Sequence, residues 1–280
     1  MRTHQFFMLV YLMAYLPYIG FSQSEPKKHT FRQVGNTAEA PFSFVVNLNY
    51  DVPGETSINA TGFFISPRHI LTNAHVVSRA KNLRIYPGAT VSATGDFVSP
   101  FGFEAISKDQ ISIPEKFIYF GYLRRQLKRQ QWDYALITLP DDSMAKKICA
   151  CSDPQIPFEL LPWLQLRDSS VQAVLVGYPI SKKAEPQLLE RRQQYDTRTI
   201  YRNKLDKNTP NIISYNEPGK TTFGGDSGAP IWIDTTDARK KVIILHGYTS
   251  AGIVIHADMY KDLLKWGVPL LPLADGTGTD

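Results

Sequence analysis

Cysteine is nearly absent from this chain: Cys149 and Cys151, one residue apart, are the only two in 280 residues. Such a pair closes a very small ring and cannot alone furnish the four ligands of a structural zinc site. A disulfide-stapled fold is therefore excluded, and stability has to come from a buried apolar core. Long hydrophobic runs are missing after Leu16, since no later stretch approaches the roughly 18 apolar residues of a membrane span. Acidic pairs such as Asp141-Asp142 lack metal-ligand spacing, so no metal site is expected. The net charge of +5 gathers mainly in Arg124 to Arg129 and Arg191-Arg192, but no nucleic-acid motif accompanies it and no nucleic-acid partner is expected. Long helical periodicity is also scarce. Only Val254 to Trp266, with Met259, Leu263 and Trp266 apolar among Asp258, Lys261, Asp262 and Lys265, predicts an amphipathic helix.

What remains is the composition of a β protein. The chain is 43% hydrophobic, with 18 Gly and 19 Pro, which suits many short strands joined by turns. Val45 to Asn49, Phe63 to Ile65, His69 to Thr72, Tyr134 to Leu139, Val171 to Tyr178, Asn211 to Ser214, Ile231 to Ile233 and Val242 to His246 all read as strands. At the amino end, Arg2 precedes an apolar run from Phe6 to Leu16, and Gly20-Phe21-Ser22 offers the small residues that a signal peptidase reads. Residues 1–22 are expected to be a signal peptide and the mature protein to be secreted, monomeric and free of the membrane once the signal is removed.

Three segments carry chemistry: Thr72-Asn73-Ala74-His75-Val76-Val77, Trp132-Asp133-Tyr134-Ala135-Leu136-Ile137 and Gly224-Gly225-Asp226-Ser227-Gly228-Ala229-Pro230. A serine hydroxyl is a weak nucleophile at neutral pH. It needs a histidine to take its proton and a buried carboxylate to hold that imidazole in one tautomer. Each segment supplies one of these groups. The glycines of the third permit backbone angles that a side chain would forbid, so a tight loop is expected there. An α/β-hydrolase elbow is excluded, because position 229 is alanine where Gly-x-Ser-x-Gly needs glycine and both partners precede the serine.

Order and spacing extend the match. Asp133 follows His75 by 58 residues and Ser227 follows Asp133 by 94; the template has roughly 45 and roughly 93, which places an insertion of about a dozen residues before Asp133. From about Gln33 to about Trp266 the chain resembles the chymotrypsin family of secreted serine endopeptidases. The resemblance implies an all-β fold of two six-stranded antiparallel barrels with a C-terminal helix packed on the second. The first barrel (33–145) would carry His75 and Asp133, the second with the helix (146–266) would carry Ser227, and 267–280 would be a tail. It further implies His75, Asp133 and Ser227 as catalytic residues, the amides of Gly225 and Ser227 as the oxyanion hole, no cofactor, and protein or peptide substrates.

The same resemblance extends to specificity and activation. Thr221 stands where trypsin-like selection of Lys or Arg needs an aspartate. Thr222 and His246 fall where glutamyl endopeptidases place the threonine and histidine that bind a glutamate side chain, with Tyr248 and Thr249 beside them, so glutamate is weighed against a small or apolar side chain. Residues 23–32 read as a candidate propeptide. Cleavage after Arg32 would free Gln33 to pair with Asp226 as in a zymogen, although the family has isoleucine or valine there and a leader with no activating role is the alternative. Asn59-Ala60-Thr61 is a glycosylation sequon expected in a loop. Two other functions stay open: an inactive homologue that binds partners, and an acyl transferase using the same three groups.

Overall fold

Strand β1 (Arg32–Gln33) opens the computed structural model, which describes residues 31–92, 94–122, 126–179, 192–205, 209–215, 224–236, 238–247 and 251–270. A first sheet follows. Strands β2 (Val45–Val52), β3 (Glu55–Ser66) and β4 (His69–Thr72) run as a meander, a single helical turn α1 (Ala74–Val77) ends it, and β5 (Lys81–Pro87) returns to β2. Burial along β3 runs exposed at its start and fully buried from Asn59 onward, so the strand leaves solvent and enters the core. A hairpin of β6 (Thr90–Val91) and β7 (Phe97–Val98) stands apart, and β8 (Glu104–Ala105) and β9 (Ile111–Ser112) are short edge pieces.

Helices α2 (Glu115–Tyr122) and α3 (Gln126–Gln130) then lead into β10 (Ala135–Thr138), which pairs with β4. They occupy the place where the sequence spacing puts an insertion. Neither was anticipated, since five to eight residues are too few to display helical periodicity. The Arg129 guanidinium lies 3.8 Å from the centre of the Phe117 ring, so part of the basic stretch is packed on an aromatic face. A further short helix, α4 (Ser143–Cys149), ends at a left-handed Ala150, and Cys149 and Cys151 are joined by a disulfide.

The second sheet comprises β11 (Phe158–Leu160), β12 (Ser170–Gly177), β13 (Gln194–Tyr201), β14 (Ile212–Ser214), β15 (Pro230–Ile233), β16 (Lys240–His246) and β17 (Ala251–Val254), with β1 added at the edge of β13. The architecture is that of two curled antiparallel sheets, as expected. Among the described residues the sheets have seven and eight strands, because two-residue pieces such as β1, β8 and β9 extend their edges and β11 joins β16 in parallel.

Helix α5 (Ala257–Lys265) buries Met259 and Leu263 as its spacing predicts, and Tyr260 besides; it starts three residues later than expected, because Val254 belongs to β17 and His256 caps the helix. Its partners differ from the expectation. The Tyr260 hydroxyl donates to the Leu160 carbonyl in the second sheet at 2.8 Å, but Tyr134, ahead of β10 in the first, donates to Asp262 at 2.6 Å and stacks near Trp266. The helix thus ties both sheets together. Among the described residues no helix is long and apolar enough to cross a membrane.

Candidate active site

His75 sits on α1, immediately after β4, and Asp133 just ahead of β10; because β4 and β10 pair from Ala135 opposite Thr72, the two side chains are delivered to the same end of the sheet. Asp133 is 1% exposed. Its carboxylate accepts the His75 backbone N–H at 2.7 Å on one oxygen and the His75 ring Nδ1–H at 2.6 Å on the other. A carboxylate only accepts, so Nδ1 carries a proton, and in the neutral ring the lone pair is on Nε2. The Asn73 amide donates to the Asp133 carbonyl at 2.6 Å and fixes the backbone beneath it.

Ser227 lies in the turn between Gly224 and β15. Gly225 (φ 92°) and Gly228 (φ 86°) occupy the left-handed region, where glycine is the residue without a steric penalty. Gly228 has a second reason: a Cβ there would lie 2.1 Å from the Thr61 carbonyl oxygen. The loop is fastened to β3 of the other sheet. The Thr61 N–H donates to the Ser227 carbonyl at 2.9 Å, and the Thr61 hydroxyl donates to the Gly225 carbonyl at 2.7 Å while accepting the Tyr178 N–H at 3.0 Å. With both carbonyls held, the N–H groups of Gly225 and Ser227 have no acceptor among the described residues and are available to a negative oxygen. The Ser227 hydroxyl donates to the Gly247 carbonyl at 3.3 Å.

The structure therefore brings His75, Asp133, Gly225, Asp226 and Ser227 to the junction of the two sheets. His246 joins them from β16, where its N–H donates to Ala229 and its carbonyl accepts from Gly228. Burial, then Arg198 and His75, push the imidazole of His246 down to about 3, so it is neutral over the ordinary pH range. Thr221, Thr222, Tyr248 and Thr249 lie outside the described residues, as do the signal segment and the tail from residue 271.

Two further candidate features stand apart from this junction in the uncut chain. Arg32 and Gln33 are exposed on β1, opposite Tyr195 and Gln194. Gln194 faces Gly177, and a Cβ on Gly177 would approach the Asp226 carboxylate, so in the uncut chain residue 33 stands two strands, about 10 Å, from Asp226. Asn59 corrects the loop expectation: it is on β3, 7% exposed, with its side chain bonded to Asn49 and Ser57. Its sequon partner Thr61 is fully buried and holds the Ser227 loop through the Gly225 carbonyl.

Several residues of the site carried no local signal. Thr61, Gly247 and Tyr215 act through partners more than 15 positions away in the chain. Arg198 was legible in principle. In Gln194-Tyr195-Asp196-Thr197-Arg198-Thr199-Ile200 the strand period places Asp196 and Arg198 on the face of buried Ile200, and the two form a buried ion pair at 3.1 Å. Among the described residues no cluster of three or more His, Cys, Asp or Glu side chains could hold a metal ion. The cavity of about 220 Å³ between α2 and α5, lined by Glu115, Lys116, Trp132, Asp258 and Lys265, includes none of His75, Asp133 and Ser227 in its wall.

A family model of the trypsin-like peptidase domain matches residues 60–239, more than half of the chain and a span containing His75, Asp133 and Ser227. The chain belongs to the trypsin-like peptidase family. Solved structures agree on the fold. A Glu endopeptidase in complex with MPD has a TM-score of 0.62 at 18% identity, over 86% of this chain and 97% of that one. The protease Anisep from Arthrobacter nicotinovorans has a TM-score of 0.53 at 15% identity, over 80% and 95%. An inactivated protease paralogue of the scabies mite, S-I1, has 0.54 at 15% identity, over 80% and 95%. No curated protein matches the chain by sequence. At these identities the likeness is one of fold, and what this trypsin-like domain does rests on its own site.

Proposed function

We propose that the chain is a secreted serine endopeptidase in which Ser227 attacks the scissile carbonyl, His75 takes and then returns the proton, and Asp133 holds the imidazole. The observation that carries the reading is the two-point grip of Asp133 on His75, through the ring Nδ1 and the backbone N–H. That grip fixes the tautomer whose lone pair is on Nε2 and holds the ring's orientation, which is the arrangement a general base needs. The tetrahedral oxygen would be received by the amides of Gly225 and Ser227, and each such donor is worth about 2.7 to 4 kcal/mol in the transition state. Residues 1–22 would direct export. Cleavage after Arg32 would then act as an activation step only if the new terminus left β1 and crossed to Asp226.

On specificity, the glutamate expectation is supported by His246 beside the nucleophile loop and by the fold likeness to a Glu endopeptidase. We take the pocket to receive a side chain ending in a carboxyl group or its amide. Likeness to an inactivated paralogue favours a second reading, a binding protein without activity, but this chain retains the serine, the histidine, the carboxylate and the glycines. Mass-spectrometric mapping of cleavage in a peptide library, with Ser227→Ala as control, separates the two. Cuts that vanish in the control support the endopeptidase. An absence of cuts from mature protein would support the binding protein.

A further inference from the structure

His246 is 1% exposed and its backbone is locked on both sides to the nucleophile loop. The next residue, Gly247, accepts the Ser227 hydroxyl, so the imidazole stands one residue from the atom that touches the nucleophile. Its Nδ1 meets the Tyr215 hydroxyl, which also reaches the Ala251 carbonyl at 3.1 Å. A phenol has one proton. If Tyr215 gave it to Nδ1, two oxygens would face each other at Ala251 with no proton between them. If it goes to Ala251, Nδ1–H donates to Tyr215 and both contacts are hydrogen bonds. The second arrangement leaves Nε2 as a lone-pair acceptor, and among the described residues Nε2 has no partner.

The charged and titratable groups around the ring keep it so. Arg198 and Asp196 come from β13, Tyr215 follows β14, Asp226 comes from the nucleophile loop and His75 from α1. Burial acts first, and the cationic Arg198, then the neighbouring His75, also oppose a charged His246 imidazole. Burial and the nearby Asp226 raise the Tyr215 hydroxyl well above its ordinary range, against the pull of Arg198, so it remains protonated.

We infer that His246, held as an acceptor by the Tyr215 hydroxyl, makes the pocket select a neutral side-chain carboxamide, that of glutamine, over the glutamate carboxylate at neutral pH. This deepens the endopeptidase reading and rests on it. A carboxamide N–H donates to Nε2. A carboxylate offers only lone pairs and is accepted on taking up a proton, and a site built for one hydrogen-bond pattern rejects the other strongly.

The test compares kcat/KM for peptides differing only in Gln, Glu or Asn before the scissile bond, at pH 7.5 and 5.5. Full-length matured enzyme is used, its active concentration fixed by fluorophosphonate titration. The expected result is Gln over Glu by at least about tenfold at pH 7.5, with the ratio shrinking by up to about tenfold per pH unit as the glutamate system takes up one proton. Tyr215→Phe should lower the Gln-to-Glu ratio at least about fivefold by freeing the imidazole tautomer, whereas a merely structural role would lower both rates alike. Glu equal to or above Gln at pH 7.5 in the unaltered enzyme, or cleavage after neither, overturns the inference and leaves the endopeptidase standing. Loss of labelling together with all cleavage overturns both.

Discussion

In the proposed mechanism the chemistry turns most sharply on Asp133, because its two oxygens hold His75 at separate points. Replacing it by Asn keeps the shape but puts two N–H donors on one arm, so one of the two bonds at 2.7 and 2.6 Å is lost and the ring is free to take the wrong tautomer. Asp133→Asn is expected to reduce kcat roughly 10⁴-fold while the circular-dichroism spectrum and melting temperature change little. A loss below tenfold would mean that the carboxylate is only a packing group. This level was the most legible in the sequence, since the three segments name His75, Asp133 and Ser227 by context. Tyr215 was not, because nothing in Ile212-Ile213-Ser214-Tyr215 signals a contact with His246, 31 positions on.

At the scale of elements, the nucleophile loop keeps its shape by being tied to β3. The Thr61 hydroxyl is a bridge between Gly225 and Tyr178, and removing it leaves a buried carbonyl and a buried N–H unsatisfied. Thr61→Val should cost about 1 to 3 kcal/mol of unfolding free energy by denaturant titration, and should lower kcat more than KM. Gly228→Ala should be worse than its size suggests, since the added Cβ meets the Thr61 carbonyl oxygen at 2.1 Å. Soluble, fully active Gly228→Ala protein would contradict the placement of the loop. Strands were legible from apolar alternation, and α5 from its spacing. The helices α2, α3 and α4 were not, being shorter than the window that reveals a period. Asn59 was misread for a related reason: β3 starts in solvent and ends in the core, so its polar opening resembled a loop.

For the whole molecule, acid stability should be set by histidines that fold in neutral form. His256 caps α5 by accepting the Met259 N–H on Nδ1, and burial pushes it down to about 4; His246 lies at about 3 and His69 is also lowered. A folded value below the ordinary 6.5 means that the unfolded chain takes up protons first as pH falls. Stability is then full above pH 6.5 and declines from there toward pH 4. His256→Asn keeps a helix-capping acceptor and removes the titration, so its melting temperature should fall less steeply between pH 6.5 and 4.5. An unchanged slope would show that other groups govern the acid limb. The Cys149–Cys151 disulfide spans two positions in sequence and constrains little of the unfolded chain, so replacing both by Ser should move the melting temperature only slightly.

The central claim is that Ser227 is a nucleophile activated by His75 and Asp133. Fluorophosphonate labelling of the mature protein, followed by mass-spectrometric location of the adduct, tests it most directly. The account predicts a single adduct on Ser227 that disappears in His75→Ala. Absence of labelling in folded mature protein, or an adduct on another serine, would contradict it.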